Sequence, residues 1–506
     1  MKALIFYTAI ISWTVFYGPA LFAAAPPSFS VANTIQSNMV LQQAKPFTVW
    51  GQAIAGQRIE VKADWMQQAV TASSSDQQQW STEIAVPKAT PGDYTPHTIR
   101  ISSGKDTVWL RNVLIGEVWL CSGQSNMDME LKPFIPWLRG VVNYEQEIGH
   151  ADYPAIRLYN VRTDFKAQPE NDCTNGSWKI CSPATAPDFS GVAYFFAREL
   201  HQQLRLPIGL VVSSVGGSAC QIWTSRETLE KDPVLRQKYL YPYDTSALSK
   251  EPLDSVVTFE KVVRPTLFYN AMIYPLRNIS LRGILWYQGE SNRFERETYT
   301  RLTSAMIGNW RELFRQGELP FYYVQVAPFK WEGDTTWTNY YGYFREAQEA
   351  IMKQTKKTGM AVIMDLGEAD DLHPRNKQQV GIRLAKQALN RDYQKPVAYK
   401  GPQYKTIRVE GNKIKISFQP ETIGSGLTTS DAQSPMHFYV AGDDQKFYPA
   451  RAEIRGNEVW VQASAVAKPV AVRYAFSNYP VTNLCNKAGL PAVPFRSDNW
   501  PEPAAK

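Results

Sequence analysis

The chain has 506 residues, 44% hydrophobic and 20% charged, with a formal net charge of +7. That length predicts two or three domains rather than one. The small net charge, with no basic run or arginine-rich arm, argues against nucleic-acid binding, and 15 Trp and 26 Tyr suit either β-sandwich cores or the walls of a sugar-binding cleft.

The first 25 residues have the layout of a secretory signal peptide. Met1-Lys2 is positive, Ala3 to Phe22 is mostly apolar, and Ala23-Ala-Ala25 offers small residues for cleavage. This predicts a secreted or periplasmic protein. An uncleaved membrane anchor is the alternative. No later stretch is apolar enough to span a bilayer, so no membrane contact is expected beyond the signal peptide. The cysteines, at 121, 173, 181, 220 and 485, are odd in number and lack zinc-site spacing. Cys173 and Cys181 are spaced to pair in an oxidising compartment, whereas Cys121 and Cys220, near strand ends, suit buried thiols.

Residues 29–112 read as a small β-sandwich-like domain. Phe47-Thr-Val-Trp50, Arg58-Ile-Glu-Val-Lys62 and Thr98-Ile-Arg-Ile-Ser102 alternate and are separated by turn residues. Over residues 113–395 the pattern becomes strand, polar break, helix. Strands are expected at 114–121, 207–213, 281–287, 321–327 and 360–365. Helices are expected at 192–204, 299–314, 343–353 and 375–389. Near-continuous apolar strands alternating with helices predict an α/β domain, a parallel sheet covered on both faces. The Tyr-, Asp- and Pro-rich stretch from Lys231 to Pro265 reads as a loop insertion. Residues 396–506 return to β, with a hairpin signal at Gly411-Asn412.

In a parallel sheet, ligands bind beyond the carboxyl ends of the strands, where the small polar breaks fall. Ser125, in Ser122-Gly-Gln-Ser-Asn-Met127, follows the first strand of this region, and Gly123 permits the tight turn that would expose its hydroxyl. Taken alone it is an ordinary turn serine. Ser213-Ser-Val-Gly-Gly-Ser218 follows the second strand; the N–H groups of Gly216 and Gly217 can face a developing oxyanion, or simply make a turn. In Trp286-Tyr-Gln-Gly-Glu-Ser-Asn292, Gln288 and Asn292 are candidate amide donors to the same oxyanion. Glu290 is a candidate supporting acceptor or a solvated loop carboxylate. His373 is the strongest candidate base of five histidines. Asp370 and Asp371 lie within three residues of it, and a carboxylate on one ring nitrogen leaves the other free to take a proton. Asp371 is alternatively a cap for the helix after Pro374. No metal site has matching spacing.

Together these motifs resemble the SGNH hydrolases and, within them, the sialate O-acetylesterase family. The matching stretches are Gly116 to Met127, Val215-Gly-Gly-Ser218, Trp286 to Asn292 and Asp370-Asp-Leu-His-Pro374. Asn38 to Pro46 and Asn486 to Arg496 match as well. The resemblance implies a flavodoxin-like three-layer catalytic domain flanked by β-rich regions. It implies Ser125 as nucleophile, His373 as base and Asp370 as orienter, with the Gly216-Gly217 turn and the Gln288-to-Asn292 loop as oxyanion hole. The third block departs from the superfamily's usual Gly-x-Asn, leaving open whether Gln288 or Asn292 is the donor. The expected function is carbohydrate O-acetyl ester hydrolysis, on sialic acid or alternatively on acetylated xylan, with no cofactor. A glycan-binding protein without catalysis is the reading from a different class.

Overall fold

A computed structural model describes residues 29–335 and 338–502; the expected signal peptide, residues 1–25, lies outside them. The spine is one 18-residue strand, β1 (Asp106–Gly123). Its first part pairs antiparallel with His97–Ser103 in the N-terminal β-region. From Val113 onward every residue is buried. The expected boundary at 112/113 therefore falls inside a continuous strand. The change of sequence pattern there reports a change in cover: one face meets solvent before it, and both faces are packed after it.

The central sheet adds β2 (Tyr153–Asn160), β3 (Trp178–Cys181), β4 (Ile208–Ser214), β5 (Gly283–Tyr287), β6 (Phe321–Val324) and β7 (Thr358–Ala361). Their order is β3-β2-β4-β1-β5-β6-β7. Neighbours run parallel except β3, which closes its edge antiparallel to β2. With the antiparallel partners of β1 the sheet is mixed, not purely parallel as the apolar runs suggested. Helices α1 (Gly191–Leu204) and α4 (Lys377–Arg391) pack on one face, and α2 (Glu297–Phe314) and α3 (Tyr340–Gln354) on the other. Period-two alternation in β1 divides its side chains between the layers. Trp119 and Cys121 join Phe196 and Leu384; Val118 and Leu120 join Met306 and Phe344.

Within the expected loop insertion 231–265, residues 233–250 fold into short helical turns and 251–260 are irregular, and the buried Arg264 is paired with Glu251 and Glu260. Helix α4 starts at Lys377, two residues later than expected, because the Asn376 side chain accepts the Gln379 N–H and caps it. All five cysteines are buried free thiols.

The C-terminal region contains two four-stranded sheets, and Tyr404–Glu410 and Lys413–Phe418 form the hairpin turning at Gly411-Asn412. It is fastened to the central domain by Arg345. This guanidinium, 1% exposed, donates to the carbonyls of Val326 and Ala327 on one side and of Ser477 and Asn478 on the other. Asn478 also donates to Asp334 at 2.7 Å and so holds the loop that carries Trp331.

Gly123 ends β1 at φ +143°, where a Cβ would sit 2.1 Å from the Tyr287 carbonyl oxygen. Gly123→Ala must push β1 and β5 apart, and thermal unfolding is expected to show a Tm lowered by roughly 5 °C or more. An unchanged Tm would contradict this account of the strand end.

Candidate active site

The close approach at Gly123 sets the first feature of the site. Gln124 donates its N–H to the Tyr287 carbonyl at 3.0 Å, the chain turns, and a short helix begins at Ser125. The serine hydroxyl thereby stands at the carboxyl end of β1, between the ends of β4 and β5. His373, in the loop between β7 and α4, reaches it from 248 positions away: His373 Nε2 lies 2.9 Å from Ser125 Oγ.

The carboxylate behind the imidazole is Asp371, not the expected Asp370. Asp371 Oδ1 accepts the His373 backbone N–H at 2.8 Å and lies 3.4 Å from Nδ1, a contact longer than a good hydrogen bond. Its other oxygen accepts from Arg139 Nε at 2.6 Å. Burial works to raise the Asp371 carboxyl, but hydrogen bonds from His373 and Arg139 outweigh it and bring it down to about 2. Asp370 is exposed. The reason is local: an Asp that binds the N–H two residues ahead forms a tight side-chain turn, and that turn carries the Asp371 carboxylate to the ring. Asp371 does not cap α4, since Asn376 does.

A buried polar cluster ties the segments together. Asn126 Nδ2 donates to Glu290 Oε1 at 2.6 Å and to the Leu372 carbonyl at 3.2 Å, and its Oδ1 accepts from Lys377 Nζ at 2.5 Å. Glu290 is 3% exposed and Lys377 fully buried. Glu290 is thus an acceptor inside the cluster, not a solvated carboxylate, and burial raises its pKa.

Gly216 and Gly217 border the same cavity, and a Cβ on Gly216 would lie 3.7 Å from Ser125 Cβ. Their N–H groups meet no protein acceptor among the described residues. Gln288 and Asn292 are engaged elsewhere. Gln288 Nε2 donates to the Ser218 carbonyl and to Asn292 Oδ1. Asn292 Nδ2 donates to Gln221 and Glu295. Neither borders the cavity. The side-chain amide that does is Gln124, which sequence reasoning passed over. Its Oε1 accepts the N–H groups of Gly289 and Ser291, at 3.3 and 3.4 Å. That pairing turns Nε2 away from the β5 turn. The only signal in the sequence was its position beside Ser125.

The cavity holds about 720 Å³, and Phe134, Trp137, Phe259 and Trp331 form much of its wall. Three of these are well exposed at its mouth: Phe134, Trp137 and Phe259. A hydroxyl bonded to an imidazole, beside a row of unused N–H groups and under aromatic walls, can attack a carbonyl and hold the resulting oxyanion. Among the described residues no cluster of His, Cys, Asp or Glu is arranged to bind a metal ion.

Comparison with known proteins supplies the remaining context. The family model for carbohydrate esterases described as sialic acid-specific acetylesterases matches residues 115–390. Sialate O-acetylesterases of Rattus norvegicus and Mus musculus are 30% and 28% identical, each alignment covering 92% of this chain and 94% of the relative. Among solved structures, a carbohydrate acetylesterase from Xanthomonas citri is 34% identical, with a TM-score of 0.81 over 93% of this chain and all of that one.

Lys377 gives the buried cluster a pH signature. Burial lowers its pKa from 10.5 to about 7. Between those values the unfolded chain binds a proton that the folded protein does not, so this group makes stability rise with pH across that window. Lys377→Met is expected to flatten the rise of Tm between pH 7 and 10 relative to the parent. Parallel curves for the two proteins would contradict it.

Proposed function

The chain belongs to the sialic acid-specific acetylesterase family of carbohydrate esterases and is an ester hydrolase, and on that premise we propose that it removes O-acetyl groups from sialic acids through an acyl-enzyme on Ser125. The observation that carries the reading is the 2.9 Å contact between Ser125 Oγ and His373 Nε2. A serine hydroxyl becomes nucleophilic when an adjacent imidazole takes its proton as the bond to carbon forms.

In this reading Ser125 Oγ attacks the acetyl carbonyl and its proton passes to His373 Nε2. Asp371, ionised throughout the working range, holds the ring and balances the imidazolium charge. The tetrahedral oxyanion is held by backbone N–H groups at Ser125 and the Gly216-Gly217 turn and by Gln124 Nε2. The imidazolium returns its proton to the departing sugar oxygen, leaving an acetylated serine. Water then gives a proton to His373 as it attacks the acetyl carbon; the bond from that carbon to Ser125 Oγ breaks, the imidazolium returns the proton to Oγ, and acetate leaves. In this reading the chain works as an SGNH-type hydrolase, with Asp371 in the orienting role and Gln124 in place of an amide from the third block. Export to the periplasm or beyond, directed by residues 1–25, belongs to the same reading.

Acetate release from 9-O-acetylated sialic acid and from acetylated xylan tests it. Faster release from the sialic acid is expected, and a preference for xylan would overturn the substrate assignment. Ser125→Ala is expected to lose at least ~10³-fold in kcat/KM, and Asp371→Asn about 10²-fold or more, with Asp370→Asn close to the parent. Unchanged activity in Ser125→Ala would refute the nucleophile.

A further inference from the structure

We propose that Arg293 is the specificity determinant that binds the carboxylate of an acidic sugar in the Ser125 cavity. The inference rests on the esterase reading of that cavity and adds the group that would distinguish an acetylated sialic acid from an acetylated neutral sugar.

The ionisable side chains bordering the cavity are Asp128, Glu290, His373 and Arg293. His373 is committed to Ser125 and Asp371. Glu290 is buried and bound by Asn126. Asp128 accepts the Ser214 hydroxyl at 2.8 Å, and burial pushes its carboxyl up to about 6. Arg293 is the only permanent cation among these groups.

Its surroundings fix its direction without neutralising it. Nη1 donates to the Glu290 carbonyl at 3.0 Å. The guanidinium carbon lies 4.4 Å from the centre of the Phe294 ring and 4.0 Å from that of Trp331. No carboxylate among the described residues pairs with it, although Arg296, three residues on, is bonded at Nε to Glu502 at 2.7 Å. Arg293 Nε is buried and meets no acceptor. A planar cation resting on two aromatic rings, with no carboxylate partner and a cavity beside it, is preorganised to receive a carboxylate. Sialic acids carry a carboxylate that stays ionised at any pH where an imidazole base works. Acetylated neutral pentoses and hexoses have none.

The test compares an O-acetylated sialic acid with the same sugar bearing a carboxamide in place of the carboxylate. The wild-type enzyme is expected to favour the acid by about 10-fold or more in kcat/KM, mostly through KM. Arg293→Met is expected to bring the ratio to about 1. A wild-type ratio already near 1, or one that persists in Arg293→Met, would overturn this inference while leaving the esterase reading intact. Absence of acetate release from acid and carboxamide alike, and from acetylated xylan, would overturn the esterase reading itself.

Discussion

One side-chain amide holds the site together. Asn126 connects the turn after β1, the turn after β5 and the loop that carries His373, because its two donors and its acceptor reach Glu290, Leu372 and Lys377. These segments are far apart in sequence, and each alone is a flexible polar turn. A buried amide with every hydrogen bond satisfied has one low-energy position, while a partner left unsatisfied there costs on the order of 1–3 kcal/mol. The separation of Ser125 and His373 is therefore set by a buried cluster below them rather than by their own mutual attraction.

The sheet places these turns where Asn126 can join them. Parallel strands bring the carboxyl ends of β1, β4, β5 and β7 to one edge, so the polar breaks after them face a common crevice. The fit of Gly123 against the Tyr287 carbonyl brings the ends of β1 and β5 into contact. The C-terminal region takes part at second hand. Arg345 anchors its 477–478 segment to the strand end at 326–327, and Asn478 positions the loop bearing Trp331. One wall of the cavity thus depends on Asn478, 144 positions after the Asp334 that it holds.

The sequence made the strands and helices of the central domain readable because their apolar periodicity is strong. It also pointed to Ser125, His373 and the glycine turn, which the fold brings to one cavity. What it hid were choices made by local turns and by cover. Asp370 and Asp371 are indistinguishable as letters, and only the side-chain turn onto the His373 N–H selects Asp371. Gln288 and Asn292 look like free donors until their partners Ser218, Gln221 and Glu295 are seen. Gln124 offers only its place beside Ser125 until Gly289 and Ser291 are folded against it. The boundary at 112/113 marked a change of cover along β1, which the pattern alone cannot separate from a change of domain.

The most direct test is chemical. A fluorophosphonate reacts covalently with a serine only where a neighbouring base and oxyanion donors activate it. Mass spectrometry of the treated protein should find one modified residue, Ser125, and no modification there in His373→Ala. A stoichiometric adduct on another residue, with Ser125 untouched, would contradict the account.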